Sequence, residues 1–148
     1  MRFDHIGIVA RTLVDGRNQL GPLFGIAEWT REFLDPLIKV YVQFGRDPSG
    51  VCYEIIAPLG DDSPVLRTLR KMDRILNHVA YLVPDLDATG AKLRTLNSVQ
   101  ASEITPAVAY GGARVQFFMT ATGFLVELIE DPGHEHSYFS ADSPGELC

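Results

Sequence analysis

The chain has 148 residues, 46% hydrophobic and 22% charged, a composition that fits one well-cored domain or two small modules sharing a core and excludes a disordered chain. Its formal net charge of −6 argues against nucleic acid as the main partner, because a phosphate backbone needs a basic surface. No apolar run reaches the roughly 20 residues that cross a bilayer, so no membrane partner is expected.

The opening MRFDHIGIVA enters a strand pattern directly, without the regions of a signal peptide, which sets a cytoplasmic expectation. Cys52 and Cys148 make neither a disulfide framework nor a thiolate metal site, and Cys52 reads as a small core residue. After the first strand, a helix is predicted from about Thr12 to Phe24, with Gly16, Gly21 and Pro22 blurring its bounds. Strands follow near Ala27 to Phe33, Leu37 to Phe44 and Val51 to Ala57, punctuated by Asp35-Pro36 and by Asp47-Pro48-Ser49-Gly50. Ser63-Pro64 reads as an N-cap and first-turn proline opening a linker helix to about Lys71. A second apolar strand, LNHVAYLV, precedes Asp85, a candidate N-cap for a helix carrying Leu86, Ala91, Leu93 and Leu96. Strands are then expected near Gln100 to Ile104, Ala113 to Thr120 and Phe124 to Glu130. The polar tail from Asp131 holds His134 and His136, which read as solvated residues outside any repeat.

A shift of 73 positions lays FDHIGIVA of residues 3–10 on LNHVAYLV of residues 76–83, and GVCYEII of 50–56 on GFLVELI of 123–129. His5 thus maps onto His78 and Glu54 onto Glu127. The fold class that follows is α+β: a βαβββ module over residues 1–57, a linker helix over 58–75, a second βαβββ module over 76–130, and an irregular tail over 131–148. The two modules form one cupped mixed sheet around a metal site.

Taken singly, His5, Glu54, His78 and Glu127 could be satisfied core histidines and pairing carboxylates. As four ionisable groups related by one repeat, they form a metal-ligand set, because buried carboxylates are costly without a partner. Two imidazoles and two carboxylates suit one divalent ion such as Co, Ni, Zn, Mn or Fe. Six-coordination would leave two positions for substrate oxygens. Strand alternation over 38–44 places Ile38, Val40, Val42 and Phe44 on one face, expected under the helices, and Lys39, Tyr41 and Gln43 on the other, expected in the cup. The repeat carries Tyr41 onto Arg114 and Gln43 onto Gln116. Tyr41, Gln43, Arg114 and Gln116 are therefore candidate substrate contacts; Lys39 reads equally as a surface cation or a cup residue, and for Arg114 its position slightly favours binding a substrate anion.

These residues resemble the vicinal oxygen chelate superfamily over about residues 3–130, and YEIIAPLGDDSPV (53–65), NHVAYLVPDLDA (77–88) and GFLVELIE (123–130) resemble its methylmalonyl-CoA epimerase-like branch. The resemblance implies a metal-dependent epimerase or isomerase that abstracts a proton next to the carbonyl of an acyl-CoA such as methylmalonyl-CoA. Glu127 and Lys39 are the expected bases. The metal set is equally similar to that of bacterial glyoxalase I, which acts on a glutathione adduct. A non-catalytic, resistance-type binding protein is the third reading. The epimerases' third-strand glutamate is replaced here by Lys39 or Ile38. A homodimer is implied by analogy.

Overall fold

The computed structural model describes residues 1–72 and 75–131. Strands β1 (Arg2–Val9), β2 (Phe33–Asp35), β3 (Val40–Arg46), β4 (Cys52–Pro58), β5 (Leu76–Val83), β6 (Val99–Gln100), β7 (Thr105–Ala107), β8 (Ala113–Met119) and β9 (Leu125–Glu130) form one sheet. Its order is β2-β3-β4-β1-β5-β9-β8-β6, with β7 on β8. β1 and β5 meet antiparallel at the centre, and each is flanked by a parallel partner, β4 or β9. The repeat holds to the residue: Gly7 pairs with Glu54 as Ala80 pairs with Glu127, and Phe44 pairs with Glu54 as Phe117 pairs with Glu127. Two copies of one unit thus close into a single cup. Among the described residues no helix is long and apolar enough to cross a membrane.

Helices α1 (Leu13–Phe24), α2 (Leu66–Lys71) and α3 (Leu86–Thr95) complete the described elements of regular structure, with a 3-10 turn over Val108–Tyr110. α1 begins where Thr12 Oγ1 accepts the Asp15 amide at 3.0 Å. α3 begins where Asp85 Oδ1 accepts the Ala88 amide at 2.8 Å; in each, a side-chain oxygen satisfies an orphan first-turn donor. α1 packs on β4 through Leu13, Leu20, Ile55 and Ala57, and α3 packs through Leu86, Phe118 and Leu128. Each fully buried Leu, Ile or Phe there contributes about 1.5–3 kcal/mol. Cys52 is buried in the core, which pushes its thiol up to about 12.

Several predicted boundaries move. In place of a strand over 27–33, Trp29 makes an isolated bridge to Gly45, and Thr30 Oγ1 takes the Phe44 amide at 3.1 Å. A side-chain hydroxyl occupies the donor that a regular ladder would use. The strand expected over 100–104 divides into β6 and β7, and Ser102 Oγ takes the Phe117 amide at 2.9 Å in the same manner. Ser63-Pro64 does not cap α2: the N-cap is Val65, with no side-chain bond, and Ser63 Oγ is buried without a partner. His134, His136 and Cys148 lie outside the described residues.

Candidate metal centre

Each ligand candidate arrives on one of four adjacent strands: His5 on β1, Glu54 on β4, His78 on β5 and Glu127 on β9. The donor atoms of His5, Glu54 and His78 all lie within 4.8 Å of one another, and Glu127 joins this group through both imidazoles. His5 Nε2 is 3.0 Å from His78 Nε2, 3.3 Å from Glu54 Oε2 and 3.5 Å from Glu127 Oε2. His78 Nε2 is 3.4 Å from Glu54 Oε2 and 3.2 Å from Glu127 Oε2. Bonds of roughly 2.0–2.1 Å to one ion separate neighbouring donors by about 2.8–3.0 Å at right angles and about 3.3–3.4 Å at tetrahedral angles. The spacings of 3.0–3.4 Å among His5, Glu54 and His78 fall in that range, so these three could hold one divalent ion, with Glu127 within 3.5 Å of both imidazoles.

Irregular backbone aims these side chains. Phe3 pairs with Tyr81 and Ile6 with Val79, so Asp4 and His5 together face the single residue Ala80. Gly7 pairs with His78 and Ile8 with Leu76, leaving Asn77 as the extra residue. Each ligand histidine is therefore preceded by a β-bulge residue, the device that re-aims side chains at sites. Asp4 Oδ2 lies 2.8 Å from His5 Nδ1, and Asn77 Oδ1 lies 3.1 Å from His78 Nδ1. The Tyr110 hydroxyl, from the 3-10 turn, is 2.9 Å from both Asp4 Oδ2 and His5 Nδ1. Phe44 meets the His5 ring edge-on at 5.4 Å, and Phe117 meets the His78 ring in the same way at 5.4 Å. Gly7 leaves the room that the His78 ring fills, since a Cβ there would lie 2.3 Å from Cε1.

Burial alone would lower the His5 pKa, but Glu54, Asp4 and Glu127 outweigh it and raise the pKa to about 10. Glu54 is pushed up by burial and pulled further down by His5 and His78, to about 2. His78 is raised, with Glu127 and Glu54 overcoming its burial. Without an ion, His5, Glu54 and His78 form a buried network of paired charges, with Glu127 within 3.5 Å of both imidazoles.

Above them opens a cavity of about 440 Å³, lined by Val40, Val42, Ile56, Val115, Phe117 and Leu125 around Glu54, His78 and Glu127. This reverses the expected faces of β3 and β8. Directly opposed residues share a face, and Phe44 opposes Glu54 while Val42 opposes Ile56, so the apolar row faces the cup. Tyr41 packs with the α1 cluster. Gln43 bonds to Arg17 of α1 and to the Thr30 carbonyl. Arg114 grips Glu130 through two bonds of 2.9 Å and Asp87 of α3 at 2.7 Å. Gln116 reaches the Ser102 carbonyl at 3.3 Å and lies against Gly90 of α3. Lys39, in the turn before β3 with φ +61°, is 45% exposed at its side chain and pairs with Asp62. None of these five lines the cavity. Sequence reasoning also passed over Asp4, Asn77, Gly7, Phe44, Phe117 and Tyr110. The dipeptides Asp4-His5 and Asn77-His78, related by the same shift of 73, were the available signal for the first two.

A family model described as the Glyoxalase/Bleomycin resistance protein/Dioxygenase superfamily matches residues 4–117. The chain belongs to this superfamily. It is 33% identical over 140 residues to the uncharacterized protein YqjC of Bacillus subtilis (strain 168), covering 92% of this chain and 96% of that protein. A hypothetical protein from Bacillus halodurans C-125 has a similar structure, with TM-score 0.76 at 22% identity over 90% of this chain and 96% of that one. So does methylmalonyl-CoA epimerase from Mycobacterium tuberculosis, with TM-score 0.72 at 24% identity over 87% of each chain. A Streptomyces coelicolor methylmalonyl-CoA epimerase variant in complex with 2-nitronate-propionyl-CoA gives TM-score 0.74 at 23% identity, over 91% of this chain and 97% of that one. At these identities the structural matches establish the fold. In this glyoxalase-type fold Glu54, His78 and Glu127 line the cavity, and the fully buried His5 lies within 3.5 Å of all three.

Proposed function

We propose that this chain is a metal-dependent epimerase or isomerase that moves a proton next to the carbonyl of an acyl thioester, with methylmalonyl-CoA as the first substrate to test. The observation that carries this reading is the convergence of His5, Glu54, His78 and Glu127 at the base of a largely apolar cavity. A divalent ion held by these residues supplies Lewis-acid polarisation of the substrate carbonyl.

The rest follows from the chain's own side chains. Val40, Val42, Val115 and Phe117 exclude water from the acyl group, which strengthens electrostatics at the floor. Glu127, a carboxylate in the cavity wall, takes the α-proton. Glu54 is its counterpart under the repeat and lines the same cavity, so inversion can proceed by removal at Glu127 and return from Glu54 once Glu54 has taken a proton from solvent, with Glu127 afterwards releasing its own to solvent. Lys39 has no part in this scheme, being outside the cavity lining and paired with Asp62. The reading extends to a homodimer by analogy with superfamily members of similar size, and a monomeric mass by light scattering at micromolar concentration would refute that extension.

The metal-loaded protein is expected to exchange the α-proton of methylmalonyl-CoA for solvent deuterium, and Glu127→Gln to slow exchange by about 100-fold or more. Turnover of the methylglyoxal–glutathione adduct without acyl-CoA exchange would select the lyase reading. Failure of purified protein to hold stoichiometric metal, with neither reaction catalysed, would favour a small-molecule-binding protein.

A further inference from the structure

The two halves of the metal centre are alike in shape and unlike in charge. The repeat sets a bulge residue before each histidine and points its side-chain oxygen at Nδ1, but that oxygen belongs to a carboxylate at Asp4 and to a neutral amide at Asn77. Tyr110 adds a further contact to the first half and has no counterpart bonded to the His78 ring among the described residues. We propose that Asp4 and Tyr110 are positioning residues that hold His5 with Nδ1 protonated and Nε2 directed at the ion, making His5 the tighter imidazole ligand, while Asn77 supports His78 more weakly. The inference rests on the metal reading above.

The hydrogen positions follow from the partners. A carboxylate oxygen only accepts, so the 2.8 Å contact with Asp4 requires a hydrogen on His5 Nδ1. Tyr110 donates its own hydroxyl hydrogen to the same Asp4 oxygen at 2.9 Å, and its oxygen lies 2.9 Å from Nδ1, within reach of the Nδ1 hydrogen. Nε2 is then the nitrogen that would give up its proton to an ion, and it faces Glu54, Glu127 and His78 Nε2. A hydrogen bond to a charged acceptor is shorter and stronger than one to a neutral acceptor, as the 2.8 Å and 3.1 Å distances reflect. Such outer partners fix ring orientation and raise ligand basicity.

The support also crosses the module boundary. Tyr110 lies in the second module, and its 3-10 turn is anchored to the first where Asp35 Oδ2 accepts the Val108 amide at 3.1 Å. Asp35 Oδ1 meanwhile accepts the Leu37 and Ile38 amides at 3.1 and 3.0 Å. His5 on one module is thus held by a hydroxyl from the other.

The test uses the full chain loaded with cobalt(II), reading the dissociation constant by chelator competition and the exchangeable Nδ1–H signals by paramagnetic proton NMR. Asp4→Asn is expected to weaken cobalt binding about 10- to 100-fold, more than Asn77→Ala does, and to move the His5 signal while the His78 signal stays. Tyr110→Phe removes one oxygen from a retained ring. It is expected to move the same His5 signal with a smaller loss of affinity, and it carries the comparison if Asp4→Asn fails to fold. Affinity within about twofold of the parent in both variants, with both signals in place, overturns the proposal, as does a larger loss in Asn77→Ala than in Asp4→Asn. A parent chain that takes up no cobalt overturns the metal reading itself, a different outcome from a parent that binds cobalt and variants that bind it equally.

Discussion

At Gly7 the sequence has no side chain because the neighbouring strand's imidazole stands there. A Cβ would lie 2.3 Å from His78 Cε1 and 2.6 Å from both ring nitrogens, so Gly7→Ala must displace a ligand rather than a pliable surface group. The variant is expected to fold with about 1–3 kcal/mol less stability and to lose most of its metal by elemental analysis. Full loading would show that the His78 ring has another place to go. Lys39 carries the opposite expectation: because it pairs with Asp62 at the surface, Lys39→Ala should leave metal content, proton exchange and inversion unchanged, and loss of inversion alone would restore it as a base. The buried pairs also set a pH dependence in the metal-free chain. His5, raised from 6.5 to about 10, contributes its full stabilisation below pH 6.5 and loses it as pH rises towards 10. Glu54, lowered from 4.5 to about 2, contributes fully above pH 4.5 and loses it as pH falls towards 2. In chelator, the urea midpoint should therefore be lower at pH 9 than at pH 6, and an equal midpoint would refute the pairing.

Among the elements, β3 and β8 show most plainly where a periodic pattern stops being informative. Alternation separates Val40, Val42 and Phe44 from Tyr41 and Gln43, but a two-residue period is indifferent to which set faces inward. Pairing decides it: Phe44 lies opposite Glu54, and the whole apolar row follows it into the cup. The polar row then faces α1, where Gln43 finds Arg17 and the Thr30 carbonyl. Val42→Trp should fill part of the 440 Å³ cavity and weaken acyl-CoA binding in calorimetry by about tenfold or more, while Tyr41→Phe leaves it unchanged. The reverse result would return the polar row to the cup. The start of α3 was legible because Asp85 caps through a local hydrogen bond, whereas the Thr12 cap of α1 was not singled out among glycines that blur that helix. The start of α2 was not legible, since Val65 caps it without a side-chain bond and the buried Ser63 Oγ bonds no first-turn amide. The bulges at Asp4 and Asn77 leave no composition signal, because they are a property of the pairing between two strands.

For the molecule as a whole, one ion would tie β1, β4, β5 and β9 together across both modules, so metal and fold should be linked. At about a thousandfold excess over its dissociation constant an ion adds about 4 kcal/mol, and a chain of this size responds by roughly 2–4 °C per kcal/mol. Chelation is thus expected to lower Tm on the order of 10 °C in the parent and by much less in His5→Ala; identical scans with and without chelator would remove the metal from the fold's energetics. The sequence by itself determined the two-module repeat, the cupped α+β class and the four ligand candidates. Each of these is written as residue identity at a fixed separation of 73, and His5 with Glu54 had only to be matched to His78 with Glu127. The tertiary structure alone decided which face of β3 and β8 lines the cavity, that Lys39 and Arg114 turn to surface carboxylates, and that Tyr110 of one module supports His5 of the other. Those outcomes depend on strand register and on contacts between residues as far apart as 105 positions, and no local period or spacing encodes them.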